Sequence, residues 1–191
     1  MLPDPHAMVI RPIRPGDVDD LTEMLLLTYE ERAARTPIHT TLRDERPPPS
    51  EIVGYFREIV RRGQTGEAVV VVAETDGRVV GFCNIARSGP AAPSESSHVG
   101  ELGILVHRDH RAAGIGSALL DRALAEARSM FEIVYLSVWS TNEAGLRLYR
   151  RYGFSVCGHL PRMVKREGRY VDEERMVLDF SRTPAGRGAK G

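Results

Sequence analysis

Apolar residues along this chain recur at two periods, one near two residues and one near 3.6, and the two alternate from end to end. Val9 to Arg11 starts a short strand. Asp17 stands where it can cap a helix running to about Arg35, with Leu21, Leu25 and Thr28 or Tyr29 on one face. Residues 36–49 end in Pro47-Pro48-Pro49 and read as a loop, after which Ser50 caps a second helix to about Arg62. The apolar face of that helix is Ile52, Val53, Phe56, Ile59 and Val60. Glu67 to Glu74 and Arg78 to Ala86 are strands joined by Asp76-Gly77, a hairpin signal. Ser88 to Ser97 is a loop rich in Pro, Ser and Ala. Val99 to His107 is a strand. Gly114 to about Ser129 is a helix with Ile115, Leu119, Ala123 and Ala127 in one stripe and Leu120 and Leu124 beside it. Ile133 to Trp139 is a strand, and Ser140 with Glu143 has capping-box spacing for a helix that ends near Arg151, before Gly153. Phe154 to His159 and Arg175 to Phe180 complete the strands. Hairpins flanking a strand–helix–strand unit predict an α/β fold with a mixed, mostly antiparallel central sheet and helices on both faces.

The chemistry concentrates in His110-Arg111-Ala112-Ala113-Gly114-Ile115-Gly116-Ser117. This segment joins the apolar strand to a helix N-terminus, where unpaired N–H groups and the positive end of a helix dipole converge. Glycine lets a bulky anion approach the backbone, so the segment suits phosphate or pyrophosphate. Gly-x-Gly-x-x-Gly is absent, and no Gly-Lys-Ser/Thr of a nucleotide-binding loop follows. A second block runs Ser140-Thr141-Asn142-Glu143-Ala144-Gly145-Leu146-Arg147-Leu148-Tyr149, then Gly153-Phe154. Arg-x-x-Gly-x-Gly after a strand, followed by Asn, Ala, Leu-Tyr and Gly-Phe in order, resembles the GNAT superfamily of N-acetyltransferases. Ile10 to Asp17 resembles the opening of such proteins, and Gly168-Arg169-Tyr170-Val171-Asp172 with Met176 their closing segment. The resemblance spans nearly the whole chain, least diagnostically at residues 30–50 and 88–98.

Composition narrows the rest. The chain has 191 residues and a formal net charge of zero, which fits one domain and gives no global basic field for nucleic acid. Residues 1–180 are expected to form one N-acetyltransferase domain and 181–191 a flexible polar tail. The longest apolar run, Ala68 to Ala73, is far short of a membrane span, and the N-terminus lacks an apolar signal core, so a cytoplasmic protein is expected. Cys83 and Cys157 lie on predicted strands and read as buried free thiols. His107 and His110 flank the turn without an evident third ligand, so no metal is expected.

The resemblance implies acetyl-CoA as acyl donor and a primary amine as acceptor, with direct attack in a ternary complex. Arg111, Ala112, Ala113, Gly114, Ile115, Gly116 and Ser117 would hold the pyrophosphate. Ile104, Leu105 and Val106 would run beside the pantetheine arm, with the Val106 N–H toward the thioester carbonyl. Asn142 is either a helix-start residue or a cofactor contact. Tyr149, two turns on, is either a ring packed on the sheet or the acid that protonates the leaving thiolate. Glu101 is the first candidate base or a solvated strand-end charge, with Asp172 a second candidate. In ribosomal-protein N-terminal acetyltransferases a glutamate follows the first leucine of the strand before the Asn helix, and here that position is Ser137. The leading expectation is acetylation of a small amine such as an amino acid, a polyamine or an amine-bearing toxin. Acetylation of protein lysines or N-termini, and a non-catalytic acyl-CoA sensor, are the alternatives. A homodimer is left open.

Overall fold

The computed structural model describes residues 8–33, 46–87 and 95–182. Residues 34–45, 88–94 and 183–191, on which the expected loops and tail fall, lie outside the described residues. The strands and helices occur in the predicted order, and the last two strands are longer than the sequence pattern marks. The strands are β1 (Val9–Pro12), β2 (Ala68–Thr75), β3 (Arg78–Arg87), β4 (Val99–Val106), β5 (Ile133–Trp139), β6 (Ser155–Arg166) and β7 (Arg169–Asp179). The helices are α1 (Val18–Ala33), α2 (Pro49–Gln64), α3 (Ile115–Ala127) and α4 (Glu143–Arg151). The strands form one seven-stranded sheet in the order β1-β2-β3-β4-β5-β7-β6. β4 and β5 pair in parallel, and the pairs β1–β2, β2–β3, β5–β7 and β6–β7 are antiparallel. The expected mixed α/β sheet is the one observed.

The described residues group into two compact units. The first takes the chain up to Ala86 together with Gly103–Ala127, and the second takes Arg87–Leu102 together with the chain from Arg128 onward. In the first unit Asp76 and Gly77 both adopt positive φ, 53° and 73°, the backbone a two-residue type I′ hairpin requires. Alternation along β2 sends Val70 and Val72 into a cluster with Leu21 and Met24 of α1 and Ile52, Phe56, Ile59 and Val60 of α2. Phe56 and Phe82 meet edge to face at 5.7 Å. The predicted stripe of α3 is buried throughout. A Cβ on Gly81 of β3 would lie 3.2 Å from Ile115 Cγ2 and Leu119 Cδ1, so glycine there lets α3 sit close to the strand.

Two caps differ from the sequence reading in this unit. α2 begins at Pro49 rather than after Ser50, because proline has no N–H to leave unsatisfied and its φ already suits the first helical turn. α1 follows a single 3-10 turn, Pro15–Asp17, and Asp17 is buried at its end. The Asp17 carboxylate accepts from the Arg14 N–H at 2.7 Å and from both terminal nitrogens of Arg11 at 2.8 and 2.7 Å. Arg11 also reaches Glu74 at 2.6 Å, and these two carboxylates hold its guanidinium far above its ordinary pKa.

In the second unit β7 lies between β5 and β6, with Ile133 opposite Asp179 and Trp139 opposite Glu173. β6 and β7 form a long hairpin closed by Glu167 and Gly168, again both at positive φ. The sequence pattern marks only the ends of these strands, since their middle carries polar residues on both faces. β6 is the edge of the sheet, and for that reason Cys157 is exposed rather than buried. Cys83, on a central strand, is buried, and desolvation pushes its thiol up to about 12. Both thiols are free.

Asp17→Ala should cost about 2–3 kcal/mol in urea unfolding, because it strips a nearly buried guanidinium of its bidentate partner. Exposed Asp19→Ala should stay within about 0.5 kcal/mol. Equal losses for the two would contradict the role given to the Arg11–Asp17 pair.

Candidate active site

Each unit carries its own set of the candidate residues. In the first unit the second half of β4 runs antiparallel to β3. The His107 N–H donates to the Val80 carbonyl at 2.8 Å, and Gly103 lies against Asn84. By ladder alternation the main-chain groups of Gly103, Leu105 and His107 face β3, and the N–H groups of Ile104 and Val106 point away from it. This leaves Val106 with an N–H directed outward from the strand. Its carbonyl, on the same side, accepts from Arg111 Nε at 3.2 Å.

β4 passes through one 3-10 turn, Arg108–His110, into the glycine-bearing loop. Ala112 has φ 62° and Gly114 has φ 81°, separated by a single residue. Such reversals turn N–H groups into a concave nest for an anion. The nest leads directly into α3, whose first N–H groups have no intrahelical acceptor; ladder bonding starts where Ser117 and Ala118 donate to Gly114 at 3.0 and 3.1 Å. Residues 111–114 are exposed, and a Cβ at Gly114 would meet nothing within 4 Å. The cradle is therefore open, of main-chain donors, and backed by a helix dipole, which fits the diphosphate of a coenzyme A thioester.

The side chain of Arg111 does something the sequence did not suggest. Its terminal nitrogens donate to the two carboxylate oxygens of Glu31 at 2.7 and 2.8 Å. Glu31 lies at the end of α1 with 3% of its side chain exposed. No local pattern marks it, since it is 80 residues from its partner. His107 and His110 stack edge to face at 5.5 Å, and among the described residues no group of three or more metal-ligating side chains is assembled.

In the second unit Glu101 pairs across the ladder with Tyr135, so the two share one face of the sheet, with Ser137 and Trp139 further along it. Glu101 and Ser137 are exposed. Asp172 is engaged inside the β6–β7 hairpin: its Oδ1 accepts from the Arg162 N–H at 2.7 Å and its Oδ2 lies 3.4 Å from His159 Nε2.

α4 corrects one cap and informs another reading. Its cap is Asn142, not Ser140: the Asn142 Oδ1 accepts from the Gly145 N–H at 2.9 Å. A Cβ at position 145 would come within 2.6 Å of Asn142 Nδ2, so glycine makes the room this cap needs. Asn142 thus has a helix-start role, with its amide N–H groups remaining for any ligand. Tyr149, two turns later, is 8% exposed and packs edge to face on Phe154 at 6.0 Å.

The pattern of the acetyltransferase (GNAT) family matches residues 25–154. The chain belongs to that family. It is an N-acetyltransferase. The L-methionine sulfoximine/L-methionine sulfone acetyltransferase of Pseudomonas aeruginosa is 27% identical over 173 residues, covering 90% of this chain and 95% of that one. The L-amino acid N-acyltransferase MnaT of Escherichia coli is 33% identical over 114 residues, covering 58% and 64%. Among solved structures, yncA of Salmonella typhimurium, determined with its cofactor acetyl-CoA, superposes with a TM-score of 0.74 at 25% identity, covering 94% of this chain and 97% of that one. Among the described residues of the present chain, no helix is long and apolar enough to cross a membrane.

The nest generates a two-variant test. Gly114→Ala should cost about 1 kcal/mol of stability through strain at positive φ, with little effect on acetyl-CoA binding. Gly114→Asp adds a negative charge at the cradle and should raise the acetyl-CoA dissociation constant at least about tenfold beyond the Ala variant, near 1.4 kcal/mol. Equal affinities of the two by calorimetry would contradict an anion site there.

Proposed function

We propose that this GNAT enzyme transfers an acetyl group from acetyl-CoA to the primary amine of a small molecule, an amino acid or an amino acid analogue, by direct attack in a ternary complex. The observation that carries the proposal is the open main-chain nest at 112–116 leading into α3, in a chain that aligns along nine-tenths of its length with a methionine sulfoximine acetyltransferase. Acetyl-CoA supplies the acyl group as a thioester. The loop from Arg111 to Ser117 holds its diphosphate by main-chain N–H groups. The outward main-chain groups of Ile104 and Val106, with Leu105 between them, run beside the pantetheine arm as an added strand would. The Val106 N–H donates to the thioester carbonyl oxygen, where negative charge develops during attack.

An ammonium must lose a proton before it can attack. Glu101, exposed on its strand, takes that proton. The departing sulfur must gain one, and the phenol of Tyr149 provides it. Asn142 contributes its amide N–H groups to the cofactor while its oxygen caps α4. Ser137 stands where the ribosomal-protein enzymes have a glutamate, which favours a small acceptor over a protein N-terminus. The free thiols fit a reducing cytoplasm.

A coenzyme A release assay with amino acids, methionine sulfoximine, polyamines and peptides tests the reading. Turnover with an amino acid or its analogue is the expected result. Turnover with peptides alone would move the acceptor to proteins, and binding of acetyl-CoA without release in any case would make the protein a sensor. Tyr149→Phe keeps the ring that packs on Phe154 and removes only the proton donor. Turnover should fall at least about tenfold, within the range typical of general acids, at nearly unchanged acetyl-CoA affinity. Equal turnover of variant and parent, with chemistry shown to limit the rate, would remove Tyr149 from the mechanism.

A further inference from the structure

The Arg111–Glu31 pair is not explained by the assignments above. The arginine of an anion-binding loop would ordinarily be given to the anion. Here Nη1, Nη2 and Nε each already have an internal acceptor, two on Glu31 and one on the Val106 carbonyl. Glu31 is a carboxylate with almost no exposed surface, and a buried carboxylate left without a partner is strongly unfavourable. The bidentate geometry is the strong form of this contact.

We propose that Glu31 is a positioning residue for the acyl-CoA site: it holds the Arg111 guanidinium as an internal strut that shapes the anion nest, and the main chain, not the arginine, grips the diphosphate. The proposal rests on the reading of the loop as an acetyl-CoA site. Four features support it. The strut ties the end of α1 to the last residue of β4, the point from which the loop departs. The peptide joining Val106 to His107 is held at both ends, its oxygen by Arg111 Nε at 3.2 Å and its N–H by the Val80 carbonyl at 2.8 Å. Ala112, next to the strut, adopts φ 62°, a conformation that side-chain-bearing residues keep only when their surroundings hold them. Fixing Arg111 on one side of Ala112 and the start of α3 on the other supplies that restraint. The neutralised Arg111–Glu31 pair also leaves the helix N-terminus and the nest as the source of positive potential for the ligand.

The two roles for Arg111 predict opposite signs. If Arg111 gripped the phosphates, releasing it from Glu31 would tighten binding. As a strut, Glu31→Gln should raise the coenzyme A dissociation constant about tenfold by calorimetry. The kcat/KM ratio of acetyl-CoA over S-acetylpantetheine, which lacks the diphosphate, should fall by a similar factor, about tenfold, with an amine from the panel above. Adding Arg111→Ala to Glu31→Gln should cost less than about twofold more, because the pair acts as one unit. Should Glu31→Gln fail to fold, Glu31→Asp keeps the charge at shorter reach and should show a smaller loss confined to the same ratio. Binding as tight as the parent's or tighter would overturn the proposal, as would additive losses or an equal loss with both donors. A parent protein that binds no coenzyme A would overturn the acetyl-CoA reading itself, a result distinct from a parent that binds and a Glu31 variant that binds equally.

Discussion

Main-chain N–H groups that regular secondary structure does not consume are the resource around which this protein is organised. Strands and helices exist because buried backbone donors need acceptors. β4 and α3 meet that need only in part. The outward N–H groups of Ile104 and Val106, the reversals at Ala112 and Gly114, and the first turn of α3 follow one another within fifteen residues of chain. In the function proposed above, a ligand rich in oxygen acceptors completes what the fold leaves unfinished. Such a site recognises charge and shape without spending side chains, which fits an acyl carrier whose diphosphate is its most polar part.

Holding that stretch of backbone in place takes packing and charge from distant parts of the sequence. Gly81 lets α3 approach β3, and the stripe from Ile115 to Ala127 anchors the helix whose N-terminus closes the nest. The Arg11–Asp17–Glu74 group fixes the entry of α1, and Glu31 at the far end of the same helix reaches Arg111. In the second unit α4 is set by a cap that involves Asn142 and a glycine at 145, with Tyr149 packed below it on Phe154. The residues assigned to proton transfer thus sit on elements whose ends are fixed by specific contacts.

Much of this was legible in the chain. The 3.6-residue stripe of α3 and the Asp76-Gly77 turn are local signals, and each is observed. The family resemblance carried by Arg111 to Ser117 and Asn142 to Phe154 agrees with the family match. The differences have physical causes. Ser50 and Ser140 are good capping residues by type, but a proline at the first helical position and an asparagine facing a glycine served instead. The middle of the β6–β7 hairpin carries charges, so its alternation is hidden, and Cys157 is exposed because β6 is the edge strand. Glu31 is invisible in sequence because its partner is brought to it only by the tertiary fold.

In the proposed site, main-chain donors from 112 to 116 receive the diphosphate of acetyl-CoA. Amide hydrogen exchange resolved to single residues, with and without saturating coenzyme A, tests it most directly. Slowed exchange at residues 112–116 together with Val106 is the expected result. Calorimetrically proven binding that leaves exchange in the 112–116 loop unchanged would contradict it.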